Sequence, residues 1–516
     1  MATATAIATV TEGLGLDKVL SKDQSGLSKV TPRRNTNVQP PQFQSPSPPQ
    51  SRSSSPISAS SSSESLELKV HKPRSPSSSS KHKPHYRPVH VRSTASILSR
   101  DPAARTKPPS YSGFRNLAMI ALAVSNIRLL LEDYQNYGVF HTLNIMGLSA
   151  HDVRLTMALT ASVPFHLFVA LAIERIAVLT MPSKSTAHNH RSKHLWGLFA
   201  VLHALNAAAV LAISSYTVYS RVWSPAVGTL CECHAIVVCF KVASYALTNR
   251  DLRDAAIEGL ETTDPLLSKL PYPNNLTLSN LVYFWWAPTL VYQPIYPRWP
   301  LHRRWGFIFS RLLEIMGSMV LIWFISTQYA NPILESSLGH FEQFNVVKIS
   351  ECLLKLASVS MAIWLLGFFC LFQSFLNLLA ELVRFGDREF YQDWWNAGSV
   401  GTYWRKWNRP VHNYFLRHFY IPMLKRGYSQ RTASVIVFFL SAILHEVAVG
   451  VPTQSLIGVA FVGMAAQIPL VLATSPLEKM GETGATIGNC IFWLSFFLGQ
   501  PMGVLLYYFA WNMKHQ

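Results

Sequence analysis

The sequence predicts an all-α polytopic membrane protein with about nine transmembrane helices, a cytosolic re-entrant or amphipathic segment, and a disordered N-terminal tail. Three observations predict it. Of 516 residues, 49% are hydrophobic and only 14% charged, whereas soluble domains carry about a quarter charged residues. Apolar stretches of spanning length, about 20 residues, recur after residue 113. The chain before that point has the opposite composition.

Residues 1–112 are rich in Ser, Pro, Lys and Arg, as in "SPSPPQSRSSSPISASSSSES". Such a segment buries too little apolar surface to offset the entropy of ordering, so the expectation is disorder. It holds sixteen Lys and Arg against six Asp and Glu, about +10 of the total +18. That charge suits an anionic membrane surface better than nucleic acid, because a membrane domain follows directly. Ser45-Pro46, Ser55-Pro56 and Ser75-Pro76 suggest phosphorylation of the tail. The opening "MATATAIATVTEGLGLDKV" lacks the basic start and unbroken apolar run of a secretory signal, so the first apolar span is expected to act as an uncleaved insertion signal.

Residues 113–516 are expected to form one membrane domain. Its spans are placed at 114–131, 155–180, 196–217, 223–245, 306–328, 352–380, 432–451, 456–473 and 485–510. With the tail cytosolic, the basic loops 181–195, 246–305 and 381–431 fall on one side, and Lys/Arg-poor loops such as 329–351 fall on the other. Loops 246–305 and 381–431 are too long and aromatic for linkers. The Asn275-Leu276-Thr277 sequon sits on the predicted cytosolic side, which argues against glycosylation. The six Cys show no disulfide or zinc spacing, and "CECH" at 231–234 lacks a second ligand pair, so no metal is expected. GxSxG and HExxH are absent, which removes lipase-like serine chemistry and zinc proteolysis.

Several residues could carry chemistry. His445 lies inside the apolar stretch "FFLSAILHEVAVGVP". An ionisable group there is costly unless it is paired or functional, and a neutral imidazole can take a proton from an alcohol. A structural hydrogen bond between helices is the competing account. Glu446 is about 100° around the helix from it, so it faces a different partner. "FYQDWWN" places Phe390, Tyr391, Trp394 and Trp395 around Asp393, with Asn396 closing the motif; it reads as an interfacial helix or as the floor of an entrance for an acylated substrate. In "YWRKWNRPVHNYFLRHFY", Asn408 suits holding a carbonyl, while most of the cations fit a solvated basic face. Gln467 and Gln500, with Ser441 and His445, suggest a polar cavity shared by the last three spans; ordinary interhelical hydrogen bonds are the rival reading.

Together these residues resemble the membrane-bound O-acyltransferases, and within them the members that acylate diacylglycerol. The carriers are "SNIRLLLE", "YPNNLTLSNLVYFWWAPTLVYQ", "FGDREFYQDWWN", "WNRPVHNYFLRHFYIPMLKRG", "SAILHE", "AQIPL" and "GQP", in order over roughly 110–512. Sterol-acylating relatives share the FYxDWWN and His-Glu motifs, so the acceptor choice rests on the other segments. The resemblance implies nine spans in the endoplasmic reticulum membrane, a cytosolic N-terminus, and homodimers or homotetramers among membrane lipids. It implies His445 as the catalytic histidine, with Glu446 beside it, and Asn408 as the essential Asn of a cytosolic re-entrant segment. Trp404, Trp407, Asn408, His412, Tyr420 and Ser441 fall on the acyl-CoA site, and Gln467 and Gln500 in the acceptor chamber. Ser434 and Gln430 stand where mammalian members carry basic residues, so contacts to the CoA phosphates differ.

The expected reaction joins acyl-CoA and diacylglycerol to give triacylglycerol, with His445 as general base on the acceptor hydroxyl. The thioester is already activated, so no cofactor is expected. A sterol or wax-alcohol acyltransferase is the nearest alternative, and a polytopic transporter is the non-enzyme alternative.

Overall fold

The computed structural model describes residue 117 and residues 149–180, 190–259, 269–299 and 302–515. The expected tail and the expected first span at 114–131 therefore lie outside the described residues, apart from Leu117. Among the described residues, eight helical stretches are long and apolar enough to cross a membrane: Ala150–Leu179, Leu195–Arg221, Pro225–Glu258, Trp305–Glu342, Val346–Val383, Gln430–Gly450, Val459–Glu478 and Gly481–His515.

The first stretch is broken by Pro164 into α1 (Ala150–Ser162) and α2 (Phe165–Leu179), since proline cannot donate to the preceding turn. α3 (His190–Arg221) and α4 (Pro225–Glu258) form an antiparallel hairpin. Pro225 opens α4, and Gly259 closes it in the left-handed conformation at φ 69°. After the short α5 (Leu278–Trp286) come α6 (Trp305–Ile325), a π-helical segment Ser326–Ala330, and α7 (Asn331–Glu342). A tight turn leads to α8 (Val346–Phe368), a second π segment Phe369–Phe375, and α9 (Leu376–Val383).

The turns between α3 and α4 and between α7 and α8 are too short for anything but antiparallel neighbours. The structure thus has two faces, and the long connections 259–305 and 384–429 share one of them with the brief turn after Glu478, which Thr402 reaches. The predicted 329–351 loop is nearly absent, because the helix runs on through α7 as far as Glu342. α4 likewise extends well past the predicted end at 245, because its polar last turns project beyond the apolar length.

The long connection contains α10 (Val400–Lys406), α11 (Arg409–Phe415), a third π segment Leu416–Tyr420 and α12 (Ile421–Lys425). Then follow α13 (Gln430–Gly450), α14 (Val459–Ala465), α15 (Gln467–Glu478) and α16 (Gly481–His515). π segments often mark functional regions.

Glu174 and Lys241, both buried, are hydrogen-bonded, as an apolar medium demands. Glu174, fully buried on α2, accepts from His203 Nε2 at 3.1 Å and Arg253 at 2.8 Å. Lys241 on α4 donates to the carbonyls of Phe284, Ala287 and Thr289 at 2.8–2.9 Å, which fixes the end of α5. Within "CECH", Glu232 accepts from Ser215 at 2.6 Å and Cys231 meets Thr160 at 3.7 Å.

Candidate active site

α13 is capped by Ser429, whose side chain accepts from Thr432 N–H at 3.1 Å. Along it, Ser434, Phe438, Ser441 and His445 recur every three or four residues and so share one face. Phe438 and Ala442 on that face pack into an aromatic cluster with Trp394, Tyr403, Trp404, Trp407, Phe492 and Phe496. His445 is two turns further along, away from the long connections.

Its Nδ1 lies 2.7 Å from the carbonyl oxygen of Ser441, one turn back, and 3.5 Å from that serine's hydroxyl. A carbonyl only accepts, so the Nδ1 proton is the donor, and the neutral ring carries its lone pair on Nε2. The same bond fixes the ring's orientation.

Glu446 turns away, as its offset around the helix requires. Gly458 N–H donates to Oε1 at 2.8 Å, and Phe461 N–H and the Tyr507 hydroxyl donate to Oε2 at 3.1 and 2.7 Å. Tyr507 itself accepts from Ala460 N–H at 3.0 Å. A carboxylate at the start of α14 satisfies amides that have no partner inside the helix. In this arrangement Glu446 ties α13 to α14 and α16, and no hydrogen bond joins it to His445.

Asn408 caps α11 by accepting from Val411 N–H at 3.2 Å. Its oxygen is thereby engaged, and its amide NH2 remains the group able to donate to a substrate. His412 follows one turn on, where burial and then Arg409 and Arg405 push its pKa down to about 4. The Trp404 indole Nε1 is buried without a partner among the described residues. Tyr420 is buried against α13 through Ala433 and Val437.

FYxDWWN is not the interfacial helix expected of it. Phe390 to Asp393 are non-helical, and Trp394–Asn396 form a single 3₁₀ turn. The reason is threading: Trp394 is 2% exposed and ringed by Trp364, Phe368, Tyr403 and Trp493 at 5.1–6.0 Å. Tyr391 donates to Gln373 Oε1 at 2.7 Å, and Asn489 holds the carbonyls of Trp395 and Ala397 at 3.0 and 2.8 Å. Asp393 pairs with Lys406 at 2.9 Å.

Of the two glutamines, Gln467 opens α15 and donates to Gly463 O at 3.3 Å on its own stretch. Gln500 on α16 precedes Pro501, and its Oε1 is buried without a partner among the described residues.

Sequence reasoning missed the contacts that hold the re-entrant segment. His418 Nε2 lies 2.7 Å from Ser244 Oγ, which also accepts from Tyr292 N–H at 2.8 Å. Tyr414 stacks on Phe240 at 4.4 Å. These partners are far apart in the chain, and no local spacing announces them. The one available signal was Lys241 and Ser244 inside an apolar span, which marks buried polar work.

The family model of the membrane-bound O-acyltransferases matches residues 264–509. A soybean (Glycine max) protein called diacylglycerol O-acyltransferase 1C is 37% identical over 425 residues, covering 82% of this chain and 78% of the relative. Diacylglycerol O-acyltransferase 1 of Arabidopsis thaliana is 34% identical over 424 residues, covering 82% and 76%. The Dictyostelium discoideum protein of the same name is 34% identical over 414 residues, covering 80% and 64%. With the helical bundle, the intramembrane His445 and these similarities together, the chain belongs to the membrane-bound O-acyltransferase family.

Proposed function

We propose that this protein transfers the acyl group of acyl-CoA to diacylglycerol, forming triacylglycerol and CoA in the endoplasmic reticulum membrane. The observation that carries the chemistry is the 2.7 Å approach of His445 Nδ1 to the Ser441 carbonyl, which engages the Nδ1 proton and leaves Nε2 to accept. The names of the relatives support the substrates.

Nε2 of His445 takes the proton from the free hydroxyl of diacylglycerol as that oxygen forms its bond to the thioester carbonyl carbon. The Asn408 amide donates to the developing acyl oxyanion. Collapse breaks the carbon–sulfur bond, and the thiolate of CoA takes from His445 the proton that came from the acceptor hydroxyl. Trp404, Trp407, His412, Tyr420 and Ser441 line the acyl-CoA path, and Gln467 and Gln500 receive the acceptor. Glu446 supports His445 by fixing the surrounding helices. Burying a 16-carbon acyl chain contributes on the order of 12 kcal/mol before ordering costs, at about 0.8 per methylene, so an intramembrane site suits the donor. The face with the long connections is cytosolic, as is the N-terminus, and the protein works as a homodimer or homotetramer.

The test is purified protein given oleoyl-CoA with diacylglycerol, cholesterol or a long-chain alcohol. CoA release with triacylglycerol as the ester is the expected result. An ester only of the other acceptors, or no CoA release, rejects the reading.

A further inference from the structure

Pro410 and Asn413 of α11, Leu416 and Arg417 of the π segment after it, and Ile421 of α12 wall a cavity of about 320 Å³, whose lining does not include Asn408 or His412. That volume is at the small end of ligand pockets, about 300–1,000 Å³. The remaining walls come from Thr289 to Pro297 and from Phe385 and Asp387.

The walls are built in advance of any ligand. Lys241 holds the Thr289 carbonyl at 2.8 Å, Ser244 holds Tyr292 N–H at 2.8 Å, and the Tyr296 hydroxyl bridges Gln293 N–H and the Val291 carbonyl at 2.8 and 3.0 Å. Gly386 N–H donates to Pro297 O at 2.8 Å, an approach so close that a Cβ at Gly386 would meet that oxygen at 2.9 Å.

Two opposite charges share this space without meeting. Arg417 is exposed and makes no ion pair or hydrogen bond among the described residues. Among the described residues, exposed Asp387 accepts only a long 3.5 Å contact from Glu389 N–H. Nearby cations are engaged elsewhere: Arg388 pairs with Glu381 at 2.7 Å, and Arg298 lies over the Tyr283 ring at 4.5 Å. Gln293 and Asn413 add amides, and Tyr296, Phe385, Leu416 and Ile421 add an apolar wall. Asp387 lies shortly after Val383, where an apolar stretch of spanning length ends, so the cavity sits beside the end of that stretch.

We propose that this cavity binds the headgroup of a zwitterionic aminophospholipid, with Arg417 on the phosphate and Asp387 on the primary ammonium. A phosphate recruits guanidinium, and an N–H-bearing ammonium recruits carboxylate. A headgroup bound there braces the re-entrant segment from behind. The inference rests on the membrane reading of the chain and not on the transfer chemistry.

The test uses the full chain in nanodiscs of equal phosphatidylcholine and phosphatidylethanolamine, with retained lipid counted by native mass spectrometry. Phosphatidylethanolamine is expected at least fivefold enriched over phosphatidylcholine, whose quaternary ammonium has no N–H to give. Arg417→Gln and Asp387→Asn should each abolish the enrichment, and Arg417→Lys and Asp387→Glu should keep it within about twofold. Should the charge-removing variants misfold, Asn413→Leu, which fills the cavity, serves in their place with the same expected loss. Unchanged enrichment in these variants overturns the proposal. So does phosphatidylglycerol binding that weakens in Arg417→Gln and strengthens in Asp387→Asn, since that marks a plain anion site. Displacement of the lipid by soluble glycerophosphoethanolamine at equal concentration overturns the membrane source. Retained lipid is read without turnover, so its failure and that of the acyltransferase reading are distinguishable.

Discussion

At the scale of single residues, a backbone carbonyl decides what His445 can do. The proton on Nδ1 is committed to Ser441 O, so Nε2 is the basic atom. His445→Ala is expected to lower kcat by about 10²–10⁴, the usual worth of a positioned proton acceptor, while acyl-CoA binding survives. Equilibrium binding of a non-hydrolysable acyl-CoA beside turnover checks both halves. Asn408 separates two roles by atom. Its oxygen caps α11 and its NH2 is left to donate. Asn408→Asp keeps a capping oxygen and removes the donor. It should leave the thermal midpoint in place while kcat falls by about 10²–10³. A falling midpoint with unchanged kcat would assign Asn408 to the cap alone.

At the scale of elements, Glu446 and His418 do the joining. Removing the Glu446 carboxylate leaves Gly458, Phe461 and Tyr507 donors unmatched, each worth about 1–3 kcal/mol when buried. Glu446→Ala is therefore expected to lower the unfolding midpoint sharply. Glu446→Gln should be milder and should leave the pH–rate profile of kcat unmoved; a shifted profile would make Glu446 part of the proton path instead. The re-entrant segment depends on neutral imidazoles. Burial first, then Arg417, with Arg250 adding to it and Asp251 opposing, pushes His418 from 6.5 down to about 4, and His412 is lowered to about 4 as well. Below pH 6.5 the opened segment takes up protons that the docked one refuses, so docking weakens as pH falls from 6.5 toward 4. Limited proteolysis between Val400 and Lys425 should accelerate over that window, and less steeply in His418→Gln.

At the scale of the whole molecule, the aromatic segment 390–396 is a threaded core element, and its fit is set by glycine. A Cβ on Gly488 of α16 would collide with the Gly398 carbonyl, which is backbone and has little room to yield. Gly488→Ala should push α16 away from the segment that Asn489 holds. The expected outcome is a lower midpoint and reduced turnover, against no effect from Gly499→Ala, where a Cβ meets nothing. Gly488→Ala behaving like Gly499→Ala would show that this contact carries no packing. Around that core, the outward faces of α3 and α6 expose Leu205, Ile213, Phe309, Leu312 and Met316, as a bundle surrounded by hydrocarbon must.

The sequence by itself determined the helical membrane architecture, because length and hydropathy are local properties that a bilayer reads directly. It also singled out His445, since an ionisable group in an apolar stretch is conspicuous before any contact is known, whereas Asn408, set in a basic aromatic loop, stood out through the family resemblance. Tertiary structure decided the rest. FYxDWWN reads as a helix by ring spacing, yet packing from four other elements draws it into the core as an extended thread with one 3₁₀ turn. Likewise, the partners of Glu446, His418 and Lys241 are set by how distant elements converge. Hydrogen bonds between residues tens to hundreds of positions apart leave no period in the chain to read.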